Sequence, residues 1–199
     1  MMTKTISKTL TTNNSKAKLP DHVHIFSVED HDYWKPKLLS SIDQMKADNN
    51  IELNEAGYYY DYDILKAPRT YGNLMNNILL SPIEEIGYKY GLMESRYAKR
   101  PPLWFQQYIQ GSGFGWHQHD GHWAFIYYIE LPEIKEATEF LNYGQFNVKE
   151  GDILFFPTFL NHRSPIIKSN LRKTIISTNI NFEVDRELIG EFGEESFRH

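Results

Sequence analysis

His117, Gln118, His119 and Asp120 follow one another in this chain, with glycines at 111, 113 and 115 ahead of them and His122 behind. Two histidines separated by one residue project to the same side of an extended backbone. His117 and His119 can therefore offer two imidazoles to one metal ion without a helix to align them. A third donor stands about forty residues on. The run Glu150-Gly-Asp-Ile-Leu-Phe-Phe-Pro157 reads as a turn, a buried strand and a stop, and His162 follows soon after. His162 is thus expected at the rim of a neighbouring strand, where loops carry function. Arg172 comes ten residues later and opens a largely apolar run to Phe182. A guanidinium in such surroundings needs an anionic partner, and a dicarboxylate would supply one in bidentate geometry.

Composition narrows the chemistry further. The 199 residues contain eight histidines and no cysteine, so disulfides, thiolate metal sites and cysteine nucleophiles are excluded, and a metal must sit on nitrogen and oxygen donors. Aromatic residues make up 15% of the chain, enough for a packed core. A formal charge of −5 argues against nucleic acid as a partner. No apolar run approaches the roughly 20 residues that cross a bilayer, and there is no apolar leader segment, which together lead us to expect a cytoplasmic protein.

The elements that position these residues are expected in three blocks. Residues 1–19 hold four lysines, no acid and mostly Thr, Ser and Asn, the composition of a disordered arm. Without those lysines, 17 basic side chains remain against 26 acidic ones, so the body is more acidic than the total suggests. Residues 20–100 read as helical support. Trp34, Leu38, Ile42 and Met45 form the stripe of a helix over 32–47. The Ser81/Glu84 capping pattern and Pro82 predict a second helix over 81–98, with Ile83, Ile86, Tyr90, Met93 and Tyr97 on one face. Between them, Gly57-Tyr-Tyr-Tyr-Asp-Tyr-Asp63 is too aromatic for a linker and reads as a strand or a lid. From 103 to about 183 the chain breaks into short β-type runs at 103–110, 123–131, 139–143, 153–156 and 171–182. One domain over 20–199 is expected, mainly β with flanking helices, its core a jelly roll or double-stranded β-helix of cupin type.

The stretch from Leu103 to Phe182 resembles the iron(II)- and 2-oxoglutarate-dependent oxygenases, most closely their prolyl-hydroxylase-like branch and small phage-type members. The resemblance rests on Tyr108-Ile-Gln-Gly-Ser-Gly-Phe-Gly-Trp-His117-Gln-His119, Phe125-Ile-Tyr-Tyr128, Gly151-Asp-Ile-Leu-Phe-Phe-Pro157, His162 and Arg172. It implies that His117 and His162 bind iron(II), and that Arg172 holds the C5 carboxylate of 2-oxoglutarate with help from the Tyr128 hydroxyl. It also puts Tyr108 near the oxoacid end and Thr174 on the side of Arg172. The middle ligand departs from the usual His-x-Asp: here it is His119, with Asp120 one residue later. Because neighbours on a strand alternate sides, Asp120 would need a bulge or turn to reach the metal. Three histidines (His117, His119 and His162) are the expected set, with His117, Asp120 and His162 as the alternative.

The implied activity is a dioxygenase that hydroxylates a small-molecule, peptide or protein substrate while 2-oxoglutarate and O2 become succinate and carbon dioxide. Two other readings stay open: a three-histidine dioxygenase that uses no oxoacid, and a non-catalytic jelly-roll binding module. His122 is either a hydrogen-bond donor behind the metal ligands or a substrate contact, or else an exposed loop residue. Trp116, Trp123 and the 57–63 tyrosines are either a substrate wall or core. Neither the substrate nor the oligomeric state is legible.

Overall fold

The computed structural model describes residues 20–64, 68–90, 98–99 and 103–182, the pair 98–99 by its backbone alone. The arm expected over 1–19 lies outside the described residues, as do Met93, Tyr97 and residues 183–199. In chain order the elements are β1 (His24–Ser27), α1 (His31–Asp48), β2 (Tyr58–Tyr60), α2 (Gly72–Lys89), β3 (Ala98–Lys99) and β4 (Trp104–Tyr108). There follow β5 (Phe114–His117), β6 (Trp123–Glu130), a 3-10 turn at Ile134–Glu136, β7 (Glu139–Phe140), β8 (Gly144–Gln145), β9 (Asp152–Pro157), β10 (His162–Ser164) and β11 (Lys173–Phe182).

The strands form two antiparallel sheets, the double-stranded β-helix arrangement. The larger runs β1-β9-β6-β11-β4-β2, with β3 added to β11, and the smaller runs β5-β10-β7-β8. Strand parity sorts the larger sheet into two faces. Phe105, Phe125, Tyr127, Phe155 and Ile176 point outward and are buried with Leu38, Ile42 and Met45 of α1 and Met75, Ile78, Leu79 and Ile86 of α2. Tyr108, Ala124, Ile126, Tyr128, Phe156 and Ile175 point inward and pack with Phe140, Phe146 and Ile167 from the smaller sheet's side. A sheet covered on both faces explains why its strands read as continuous apolar runs rather than alternating ones.

The first helix matches expectation, with Leu38, Ile42 and Met45 buried. The second starts at Gly72, nine residues before the expected cap, and Pro82 lies inside it. The reason is energetic. Met75, Ile78, Leu79, Pro82, Ile83 and Ile86 are all buried on one stripe. Each large apolar side chain buried contributes about 1.5–3 kcal/mol, and together they outweigh the roughly 3 kcal/mol or more that an internal proline costs. Within the 57–63 segment the strand is β2, Tyr58–Tyr60, paired with β4 through Tyr58↔Tyr108, Tyr59↔Gln107 and Tyr60↔Gln106. Gly111, at φ +85°, makes the turn that returns the chain from β4 toward β5. A Cβ at Gly113 would stand 3.0 Å from the Ser164 carbonyl, so the closeness of β5 to β10 requires glycine there.

A buried polar node anchors β2. Asp61 accepts hydrogen bonds from the Tyr71 hydroxyl (2.7 Å) and the Phe105 amide (2.8 Å), and Arg69 Nε lies 3.1 Å from its Oδ2. Arg69 also donates to the carbonyls of Asp61, Ile64 and Leu103. Burial raises the Asp61 carboxyl above its ordinary value, opposed by the Tyr71 and Phe105 donors and by the charge of Arg69. Breaking such a pair leaves a buried charge unmatched. Asp61→Ala is expected to cost about 3–5 kcal/mol in urea unfolding; a loss below about 1 kcal/mol would contradict the anchoring role.

Candidate functional site

The smaller sheet builds the histidine cluster. β10 pairs with β5 so that His162 sits directly opposite His117, and the two ring centroids are 4.3 Å apart. His119 follows β5 in the loop toward β6. Its amide donates to the Thr158 carbonyl at 3.3 Å, and the Gln118 side chain donates to the Phe159 carbonyl at 2.6 Å. Those two bonds tie the end of β5 to the β9–β10 loop and bring His119 to 4.8 Å from His117 and 5.1 Å from His162, centroid to centroid. One ligand atom from each of the three lies within 4.8 Å of the others.

The orientation of the rings suits a metal. His117 Nδ1 lies 2.8 Å from the Gly115 carbonyl, and His162 Nδ1 lies 2.8 Å from the Leu160 carbonyl. A carbonyl only accepts, so each Nδ1 carries the proton and each Nε2 keeps its lone pair, the tautomer in which Nε2 can ligate a metal. Burial lowers all three imidazoles from their ordinary value: His119 to about 4, His162 to about 3, and His117 in the same direction. All three are neutral imidazoles at neutral pH, each able to offer a lone pair. Phe114 meets the His117 ring edge-on at 4.6 Å, and Phe156 and Phe140 flank His162 at 4.8 and 5.7 Å. Asp120 is exposed and is not part of this group. The donor set therefore fits a divalent first-row metal such as iron(II) on three nitrogens, with coordination positions left for other ligands.

The cluster opens on a cavity of about 330 Å³ between the two sheets, toward the lower end of the roughly 300–1,000 Å³ of small-molecule sites. Tyr58, Tyr60, Tyr62, Trp104 and Tyr108 line one wall, and Thr138, Ser164 and Ile175 are among the other lining residues. The aromatic segment at 57–63 is thus a cavity wall. Trp123 is instead core, packed against Phe155 and Tyr90 on the helix side. His122 is exposed, its amide donating to the Ile180 carbonyl and to Asn181 Oδ1.

The residues expected to hold the oxoacid divide between the two faces of the sheet. Tyr108 lines the cavity, and its hydroxyl bonds to Ser164 and Gln106. Tyr128 is buried on the same inner face, its hydroxyl 2.9 Å from Thr138 Oγ1. Arg172 and Thr174 turn the other way. Arg172 makes a bidentate pair with Glu130, Nε to Oε2 at 2.7 Å and Nη2 to Oε1 at 3.0 Å, and Thr174 donates to the same carboxylate. Even-numbered positions on β11 face the helices, where Ile176 and Ile180 are packed.

The cation on the inner side is Lys173, which the sequence reading passed over. Its ammonium is fully buried and donates to the Glu136 carbonyl (2.7 Å) and Ser164 Oγ (2.8 Å), with the Tyr108 ring centroid 5.1 Å away. Burial lowers it to about 7, partly offset by the charge of Glu136. An ammonium has three N–H donors, and these two bonds use two of them. Lys173 shares a side of β11 with Ile175, Ser177 and Asn179, three residues that line the cavity.

No protein-family model and no curated protein matches this chain. The solved structures define its fold as that of the 2-oxoglutarate/iron(II) oxygenases. The viral collagen prolyl hydroxylase of Paramecium bursaria Chlorella virus-1, in complex with 2-oxoglutarate, is 13% identical over 82% of this chain and 97% of that one, with a TM-score of 0.59. A Trichoplax adhaerens prolyl hydroxylase, bound to a hypoxia inducible factor peptide, is 11% identical over 84% and 87%, with a TM-score of 0.59. HygX of Streptomyces hygroscopicus, with nickel, 2-oxoglutarate and hygromycin B bound, is 9% identical over 79% and 81%, with a TM-score of 0.52.

The ligand set is checked by cobalt(II) binding. His119→Ala should weaken it by more than the roughly 10–100-fold that substitutions outside the ligand sphere cost. Asp120→Ala should leave it within about fivefold, the most an exposed charge usually contributes. The reverse pattern would make Asp120 the ligand.

Proposed function

We propose that this protein is an iron(II)- and 2-oxoglutarate-dependent dioxygenase that hydroxylates a C–H bond of a small-molecule or peptide substrate. The observation that carries the reading is the convergence of three lone-pair-bearing imidazoles on an aromatic-walled cavity in a fold shared with such enzymes. His117, His119 and His162 would hold the metal. When bound, iron(II) with 2-oxoglutarate and O2 supplies the oxidising chemistry, with succinate and carbon dioxide as co-products.

The chain's own residues do the rest. Lys173, at the inner end beside Tyr108 and Ser164, takes the role the sequence reading gave to Arg172: its remaining N–H and its charge receive the distal carboxylate of the oxoacid. Tyr108 and Tyr128 keep their protons, since burial raises both phenols (Tyr128 to about 12). Tyr108 acts as a neutral hydrogen-bonding group in the cavity, and Tyr128 acts through Thr138, which lines it. The Gly115 and Leu160 carbonyls hold the His117 and His162 rings in their metal-binding tautomer. Phe114, Phe140 and Phe156 exclude water behind the rings.

A second reading, a three-histidine dioxygenase that uses no oxoacid, is favoured by one observation: Arg172 is already paired with Glu130 on the opposite face. Anaerobic titration with iron(II), with and without 2-oxoglutarate, separates the two. A weak visible charge-transfer band that needs both, and succinate release in air, support the oxygenase; metal binding indifferent to the oxoacid overturns it. Lys173→Met should abolish the oxoacid-dependent band while keeping the fold, because a buried charge replaced by an apolar side chain of similar volume is often tolerated. Arg172→Ala should keep the band.

A further inference from the structure

The outer part of the cavity has a composition that the proposed chemistry does not require. Tyr58, Tyr60, Tyr62 and Trp104 all line it. Tyr58 and Tyr60 are tilted by 47° at 5.5 Å, while Tyr62 meets Trp104 at 85° and 5.1 Å, so the rings present faces in more than one direction. Tyr62 is 52% exposed although it borders the cavity. Tyr60 is half-buried, while Tyr58 and Trp104 are buried and meet only the cavity, so Tyr62 is the large aromatic left open beside the site, the kind of surface that a ligand covers.

The charges at this mouth are lopsided. Arg163 is the one lining arginine or lysine among the described residues, and it is already matched. Its Nε and Nη2 lie 2.8 and 2.7 Å from Glu139 Oε2, and its guanidinium lies 4.6 Å from the centroid of the Trp116 ring. Three histidines bring no charge when they ligate a metal, and a divalent metal together with Lys173 would exceed a dicarboxylate by one positive charge, deep in the cavity. Two exposed carboxylates next to lining residues outweigh that charge: Asp63, which accepts the Tyr60 hydroxyl at 2.7 Å, and Asp120 beside His119. Aromatic faces with acids behind them attract cations, because the ring quadrupole is negative on its face.

We propose that the Tyr58–Tyr60–Tyr62–Trp104 wall, with Asp63 at its edge, is a subsite for an alkylammonium group on the substrate. The substrate would be an amine, primary or methylated, held with its cation against the rings while an adjacent carbon faces the histidine cluster. This assignment of substrate class rests on the oxygenase reading for its chemistry but not for its binding. A neutral ring would also stack on these faces, yet it would gain nothing from Asp63.

Choline and its neutral carbon isostere 3,3-dimethylbutan-1-ol distinguish the two, measured by ligand-observed NMR on the full chain. Choline should bind at least about fivefold more tightly than the isostere. Tyr62→Leu and Asp63→Asn, both at exposed positions, should each reduce that preference, and Tyr88→Leu, on α2, should leave it unchanged. Equal binding of the two probes, no binding of choline, or a preference untouched by both mouth variants would overturn the subsite. Running the titration with and without iron(II) and 2-oxoglutarate under anaerobic conditions keeps the claims separate. Choline binding without oxoacid binding retains the subsite and removes the oxygenase; the opposite result does the reverse.

Discussion

One pairing register governs this molecule: His162 at the start of β10 faces His117 at the end of β5. A slip of one residue would turn one of the two rings to the other face of the sheet. Gly113 permits the approach of β5 to β10, and the Ser112 carbonyl accepts the Ile167 amide at 2.8 Å just beyond it. The third ring depends on the same closure, since His119 is fixed by the loop that leads into β10. Given that register, two backbone carbonyls set the tautomers, and the desolvation that keeps the rings neutral follows from the phenylalanines around them.

The larger sheet serves as a partition. Its outer face is sealed by α1 and α2, and its inner face carries the tyrosines, Trp104 and the environment of Lys173. Glu130 and Arg172 close an ion pair on the outer side, while on the inner side the buried ammonium of Lys173 has carbonyl and hydroxyl oxygens as partners. Adjacent residues, 172 and 173, thus send opposite faces of one strand two cations with different fates. The Asp61 node fixes the 57–63 segment against β4 and so determines where the tyrosine wall stands.

Much of this was legible in the sequence where local pattern and tertiary role agree. The stripe of Leu38, Ile42 and Met45, the apolar runs that became β6 and β9, and the His-x-His spacing all reflect geometry that a few residues specify. The start of α2 was not legible, because the Ser81-Pro82 signal describes local preference while the stripe from Met75 to Ile86 is settled by burial against the sheet. Which of Arg172 and Lys173 faces inward was not legible for a related reason: β11 is buried on both faces, so its residues show no alternation to reveal which side is the interior. The short strands β5 and β10, which carry two of the three rings, have no periodicity long enough to detect. His162 was expected at a rim and is in fact only 2% exposed, a consequence of Phe140 and Phe156 arriving from distant parts of the chain.

The central claim is that three imidazoles, and no carboxylate of this chain, form the metal site. X-ray absorption of the iron(II)-loaded protein reads that directly, through the outer-shell scattering that imidazole rings produce. The account predicts the signature of three imidazoles, falling to two in His162→Ala. Two imidazoles in the unaltered chain, with the signal unchanged by His119→Ala, would contradict it.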